Sequence, residues 1–444
     1  MPSPVRKLAV RLLGRDKGAL ARDAGFIFGV RLVGAAAVFI TQILLARWAG
    51  AEALGLYSYA FAWCVLLTIV AGVGWPSAAY RVLSTALADG RKDLMAGFVR
   101  RGRQVLLGAS AIIVAAGVAI LFAPGTPVTA QQRLPLLLAL AAVPLYSLMR
   151  QASSIAHGLS WWRAAFLPDL AIRPLLLLAS ILGARAAGLP LTAAAVMGWQ
   201  LAVILLVTVG QTGYVTARWK RHVGTPPPWY ATADWLRTAW PLLFVALFTN
   251  FFMELNLIVA GHFLAADELG VFTAAFRTAF LIGFGIFAVD AIVLPRAAQA
   301  YARGQTDALQ RLLSQAAWLK MAGALVAVAA LAMLGRPILA IFGAEFVPGY
   351  SALLILALTQ LVVAIAGPVA QLLSVSGYQN DCLVVLPASI AATIALDSLL
   401  IPQYGVNGAA LTVLAVLLLQ SLWLYRVVVR RMSVHASVFA PRRA

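Results

Sequence analysis

Arg31, Asp169, Arg173, Glu254, Arg277 and Asp290 each stand within a long apolar stretch. Runs of about twenty such residues match the hydrocarbon thickness of a bilayer. A charge at that depth costs at least about 2.5–3.5 kcal/mol, so those present tend to face the protein interior and to have a partner or a task. The chemistry open to this set is recognition of phosphate. A guanidinium offers a fixed fork of N–H donors, and a neighbouring carboxylate can hold it until substrate or a proton arrives. Asp169 and Arg173 lie four apart and share a helix face. Glu254 and Arg277 reach similar depth on consecutive antiparallel spans. Each pair reads either as a neutral structural bridge or as a phosphate-binding arginine with its gating carboxylate. Arg31 reads as a cavity cation or as a snorkelling side chain. Asp290 reads as a coupling carboxylate or as part of an interfacial cluster with Arg296. Asp397 reads as interfacial, and Lys320 as snorkelling.

Uncharged polar residues accompany these charges. Thr41 and Gln42 fall in the first span, Thr249, Asn250 and Asn256 in the seventh, Gln360 and Gln371 in the tenth. Amides and hydroxyls at such positions either line a polar cavity or bond one helix to another; Gln42, Asn250, Asn256 and Gln360 are the cavity candidates. Signs of catalysis are few. His157, His222, His262 and His435 have no metal-ligand spacing, and no phosphate-binding Gly-x-x-x-x-Gly-Lys-Ser/Thr loop or Asp-x-Asp pair occurs. The pairs Gly72/Gly74 and Gly283/Gly285 are packing or kink sites. The expectation is a protein that is not an enzyme and has no catalytic residue, metal or cofactor. Cys64 and Cys382 lie in or beside apolar spans and read as small core residues without a disulfide.

The elements that must position these residues follow from composition. Hydrophobic residues make up 62% of the chain and charged residues 11%, far from the soluble norm of about a quarter charged. Twelve spans are expected, near 25–46, 55–78, 104–123, 134–154, 164–184, 190–214, 240–262, 269–294, 317–335, 350–375, 382–402 and 407–428. They are helices, because lipid leaves backbone groups no external partner and no β-barrel alternation is visible. The net charge of +19 is one-sided. Of the 34 Lys and Arg, 27 fall on the tails, on the loops after even-numbered spans or on the adjoining ends of the flanking spans. That asymmetry predicts cytoplasmic termini and headgroup contact, not a nucleic-acid partner. Trp161, Trp162, Trp235 and Trp240 fit an interfacial aromatic belt.

The chain also repeats itself. Ala51-Glu52-Ala53-Leu54-Gly55-Leu56-Tyr57 returns as Ala266-Asp267-Glu268-Leu269-Gly270-Val271-Phe272, at a constant offset of 215 residues. A fainter echo relates Gly188-Leu189-Pro190 to Gly405-Val406-Asn407. The prolines 226–228 mark an extended joint. The expected organisation is a basic segment 1–24, a six-helix bundle 25–217, a linker 218–235, a second six-helix bundle 236–430 and a basic tail 431–444. Six spans per half give both halves one orientation and a pseudo-two-fold along the membrane normal.

The repeated phrase, the span count, Gly74-Trp75-Pro76-Ser77, Phe342-Gly343-Ala344-Glu345-Phe346 and Leu400-Ile401-Pro402-Gln403-Tyr404-Gly405-Val406-Asn407-Gly408 resemble the polysaccharide-transporter branch of the multidrug/oligosaccharidyl-lipid/polysaccharide exporter superfamily. The resemblance implies two pseudo-symmetric bundles around a cavity open to one side at a time. It implies gradient-driven flipping of an undecaprenyl-diphosphate-linked oligosaccharide across a bacterial cytoplasmic (inner) membrane, coupled to protons or sodium. Partners would be the lipid-linked glycan, membrane lipids and polysaccharide assembly proteins. The implied role is phosphate binding for Arg31 and Arg277, matched by residue type and helix; Arg173 joins them as a phosphate candidate from its place in an apolar span, and Glu254, Asp169 and Asp290 are the coupling or gating candidates. Drug-exporting relatives often carry a carboxylate in the first span, where this chain offers Gln42. The alternative implied is a cation-coupled drug or metabolite antiporter of the same superfamily.

Overall fold

The computed structural model describes residues 17–432 except 127, 370–371 and 374–380, together with 434 and 437–438. The described residues are helical, without a strand among them. In chain order the helices are α1 (Lys17–Ala71), α2 (Trp75–Ala88), α3 (Lys92–Phe122), α4 (Ala130–Gly158), α5 (Trp162–Leu167), a π-helical turn (Pro168–Ile172) and α6 (Arg173–Ala186). There follow α7 (Ala193–His222), α8 (Thr232–Phe263), α9 (Ala266–Phe280), α10 (Ile282–Ala302), α11 (Thr306–Phe342), a 3-10 turn (Ala344–Gly349), α12 (Tyr350–Ala366), α13 (Asp381–Tyr404) and α14 (Val406–Met432). Among the described residues nine stretches are long and apolar enough to cross a membrane. The first, Gly25–Ala71, holds two of the expected spans, and α8 and α13 lie where the other two were expected. The protein is an all-helical, polytopic membrane protein.

Two compact units form. One joins the described residues up to Thr41 with Trp63–Ala246; the other joins Gln42–Ala62 with the described residues from Leu247 onward. The chain therefore changes unit inside α1 and inside α8, beyond the proline joint. In the first unit that joint is tied down: Trp229 N–H donates to the Asp93 carbonyl at 3.1 Å. Trp75, Phe98 and Trp235 form its aromatic core. Trp75 stacks on Phe98 with centroids 4.9 Å apart, and Trp235 meets Phe98 edge-on at 5.4 Å. The Trp75 indole N–H donates to the Phe98 carbonyl, as a buried indole must find an acceptor. Trp235 and Trp161 are thus buried rather than belt residues, whereas Trp240 is exposed.

The Gly72–Gly74 pair is a break, not a kink within a continuous span. Val73 and Gly74 both adopt positive φ, and Gly74 caps α2. In the fifth expected span the helix widens into the π turn at 168–172. Pro174 supplies no N–H to the Leu170 carbonyl four residues back, and its ring crowds that carbonyl. The carbonyl turns toward Gly34 of α1, where a β-carbon would overlap it.

In the second unit the two copies of the repeated phrase pack on each other. A β-carbon at Gly55 would overlap the Ala266 carbonyl; one at Gly270 would overlap the Ala51 carbonyl. Residues 51 and 266, like 55 and 270, are equivalent in the repeat. The contact is therefore self-complementary, as at a two-fold interface. Gly50, at φ +86°, turns the chain into the first copy, a conformation only glycine adopts without strain. The Ala51 N–H left over at the new helical start donates to Glu345 Oε1 at 2.9 Å, a carboxylate suited to a helix N-terminus.

Gly55→Ala and Gly270→Ala are each expected to destabilise the protein by about 1–3 kcal/mol through forced separation of the helices. Gly108→Ala, where no heavy atom lies within 4 Å of the added carbon, should be neutral. Thermal unfolding in detergent, followed by size-exclusion profile, checks this; equal midpoints for all three variants would refute it.

Candidate functional site

In the first unit the predicted Asp169–Arg173 pair is formed. Arg173 Nε donates to Asp169 Oδ1 at 2.9 Å, and Tyr146 Oη donates to the same oxygen at 3.2 Å. The Arg173 guanidinium also lies 5.4 Å from the Tyr146 ring centroid. Asp169 lies within the π turn, a local distortion often found at functional sites, and Arg173 directly follows it. The arginine of the pair is held by a carboxylate and a π-face at once. Arg31, on the first-unit part of α1, is exposed.

In the second unit Asp290 of α10 does not join an interfacial cluster with Arg296. It accepts a hydrogen bond from Lys320 Nζ of α11 at 2.9 Å, with side chains 5% and 1% exposed. Lys320 is accordingly a buried partner rather than a snorkelling residue. The sequence separates the two by thirty positions, one well inside each helix; only the pairing of α10 with α11 brings them together. Asp397 likewise departs from the interfacial reading. It is 2% exposed on α13, beside Thr412 of α14. The Thr412 side chain is close enough to reach the carboxylate, but among the described residues the buried Oδ1 itself meets no hydrogen-bond partner of good geometry. A buried carboxylate oxygen in that state is costly, and such groups call for an explanation in ligand, ion or catalytic terms.

Arg277 of α9 and Glu254 of α8 are both half-buried in this unit. Among the described residues the Arg277 Nε is buried and meets no acceptor, so a bridge to Glu254 is not made through that atom. Gln42, Asn256 and Gln360 are buried here too. Gln360 Nε2 donates to the Thr359 hydroxyl at 3.5 Å, a contact at the limit of hydrogen bonding. Thr273 and Thr278 on α9 donate back to Leu269 and Ala274 carbonyls at 2.7 Å, so they serve their own helix. The side chain of Asn250, those of Thr249 and Cys382, and the whole of Gln371 and His435 lie outside the described residues. Among the described residues no cluster of His, Cys, Asp and Glu suited to a metal occurs.

The charges within the apolar helices thus divide into paired ones (Asp169 with Arg173, Asp290 with Lys320), buried or half-buried ones and the exposed Arg31. Solved structures share the fold. The chain superimposes on an inward-facing multidrug resistance MATE family transporter of the MOP superfamily with a TM-score of 0.75 at 14% identity, covering 91% of this chain and 98% of that one. It superimposes on the lipid II flippase MurJ, inward closed, with a TM-score of 0.72 at 15% identity, covering 91% and 87%. A MOP superfamily transporter from Pyrococcus furiosus follows with a TM-score of 0.57 at 12% identity, covering 92% and 96%. A search of curated protein sequences finds no significant match. The family model "Polysaccharide biosynthesis protein" matches residues 20–301, and the MatE model matches residues 241–399. The chain belongs to the polysaccharide biosynthesis protein family.

Removing one partner of the Asp290–Lys320 pair leaves a buried charge. Lys320→Met alone is therefore expected to cost about 3–5 kcal/mol, while Asp290→Asn with Lys320→Met restores most of the loss. Chemical or thermal unfolding of the four proteins of the cycle measures the coupling. A double variant as unstable as Lys320→Met would show that the pair does not act as a unit.

Proposed function

We propose that the protein flips a lipid-linked, undecaprenyl-diphosphate oligosaccharide across a bacterial cytoplasmic membrane for surface polysaccharide synthesis, by gradient-driven alternating access, with both termini cytoplasmic. The observation that carries this reading is the polysaccharide biosynthesis family match over residues 20–301. The MurJ likeness supports the fold that such a task uses.

The physics fits the substrate class. A sugar-diphosphate headgroup cannot enter hydrocarbon without partners for its hydroxyls and charges. Arg277, with a buried N–H lacking an acceptor among the described residues, is the strongest phosphate candidate. Arg31 is the second, being accessible. Arg173 is already engaged by Asp169 and would bind phosphate only by exchanging that carboxylate for it. For coupling to a proton or sodium gradient, Asp397 joins Glu254, Asp169 and Asp290, since its buried oxygen would gain most from a cation or proton.

A drug or metabolite antiporter is the second reading, favoured by the MatE match over residues 241–399. Against it stands Gln42 in the first span, where drug-exporting relatives often carry an acid.

Deleting the gene should abolish surface glycan while lipid-linked precursor accumulates inside the cell. Altered toxin sensitivity with intact glycan would favour the antiporter instead. In reconstituted vesicles Arg277→Ala should slow glycolipid transfer at least about tenfold, the worth of one charged hydrogen bond, with folded yield retained. Asp397→Asn should abolish the response to an imposed gradient while leaving the protein at least as stable. Wild-type rates for both variants would remove these residues from the mechanism.

A further inference from the structure

Apart from the transport machinery, the first unit carries a cationic pocket of about 500 Å³ at one end of its helices. Its walls come from the start of α1 (Arg22, Asp23, Phe26), the α4–α5 turn (Ser160, Trp161, Trp162, Arg163) and the far end of α7 (Tyr214, Arg218). Three guanidiniums face one carboxylate, so the pocket attracts anions. We infer that this pocket binds the phosphate headgroup of an anionic phospholipid.

The walls are built for such a ligand. Ser160 turns the chain through a positive φ of 59°, which sets consecutive indoles and Arg163 at the start of α5. Trp161 is buried, and the Arg218 guanidinium lies 4.8 Å from its ring centroid. Arg218 Nη1 donates to Tyr214 Oη at 3.0 Å, which fixes the guanidinium's second edge. Its Nε is buried and meets no acceptor among the described residues. Arg163 lies 5.7 Å from the Phe26 ring centroid, so it is steered over the pocket from the opposite wall while staying exposed. Cation–π contacts of this kind hold an arginine without neutralising it, leaving the fork of Arg163 and the remaining N–H groups of Arg218 for phosphate oxygens.

Lipid, rather than free phosphate, is indicated by the apolar share of the walls. The half-buried Trp162 and the exposed Tyr214 suit the headgroup level, where one end of an aromatic ring is dry and the other wet. Tyr214 is 53% exposed, an aromatic surface that acyl chains or glycerol would cover. The turn at 159–161 lies between two membrane-crossing stretches, Ala130–Gly158 and Trp162–Ala186, which is where a headgroup sits. Given cytoplasmic termini, the lipid belongs to the inner leaflet, whose anionic lipids are drawn to such basic surfaces.

The test needs no transport assay, so its failure and that of the flippase reading are separable. Purified full-length protein is titrated with short-chain phosphatidylglycerol, short-chain phosphatidylcholine and glycerol 3-phosphate, with thermal midpoint and native mass spectrometry as readouts. Phosphatidylglycerol should bind at least about fivefold more tightly than phosphatidylcholine. Arg163→Gln, at an exposed position that folding tolerates, should remove at least half of that preference, and Arg163→Gln with Arg218→Gln nearly all of it. Equal binding of the two lipids overturns the inference. So does a preference unchanged in Arg163→Gln, or glycerol 3-phosphate competing as strongly as the lipid.

Discussion

Hydrocarbon offers no hydrogen bonds, and this one property of the solvent governs what the chain can do with its polar atoms. Each helical break must find internal partners. At Gly50 the freed Ala51 N–H meets Glu345 from far along the sequence. At Pro174 the displaced Leu170 carbonyl is accommodated by the bare α-carbon of Gly34. The same demand acts on charges. Asp169 takes Arg173 and Tyr146, and Asp290 takes Lys320. Asp397 and Arg277 differ from these paired charges: each keeps a buried polar atom without a hydrogen-bond partner of good geometry among the described residues, as Arg218 does in the first unit.

The exchanged glycine contact gives the duplication a structural meaning. Helices in lipid associate through close packing rather than through expulsion of water, so the absence of a side chain at a crossing is itself the adhesive. Gly55 and Gly270 each admit a carbonyl from the other copy, at equivalent positions. The segment Gln42–Ala62 of α1 is thereby fastened into the unit formed mainly by the second half of the sequence. A repeat that first appears as an echo of letters becomes the seam that holds α1 to α9.

Much of this was legible before any coordinates. Length and apolarity announced the helices, because in lipid those two properties nearly suffice to specify one. The Asp169–Arg173 pair was readable because a spacing of four on one helix fixes proximity locally. What escaped was non-local. Lys320 looks like a snorkelling lysine until α10 and α11 are paired, and Asp397 looks interfacial until Thr412 of α14 is laid beside it. Trp235 resembled a belt residue because the sequence cannot show that Trp75 and Phe98 wait for it. The π turn is intermediate: Pro168 and Pro174 were visible, but which carbonyl would be displaced depended on Gly34.

These distinctions bear on what the charges are for. A buried ion pair with a hydrogen bond, such as Asp290–Lys320, is close to neutral for its surroundings, and its main effect is to fix the register of α10 against α11. A buried charge with an unanswered atom is different in kind, since the folded state bears its desolvation with no return until something binds. Selection for stability alone would remove such a group. Its retention argues for a task performed in another state or with a ligand in place. On that argument Arg277 and Asp397 are the groups of the second unit that the proposed transport would draw on, the guanidinium suited to an anion and the carboxylate to a cation.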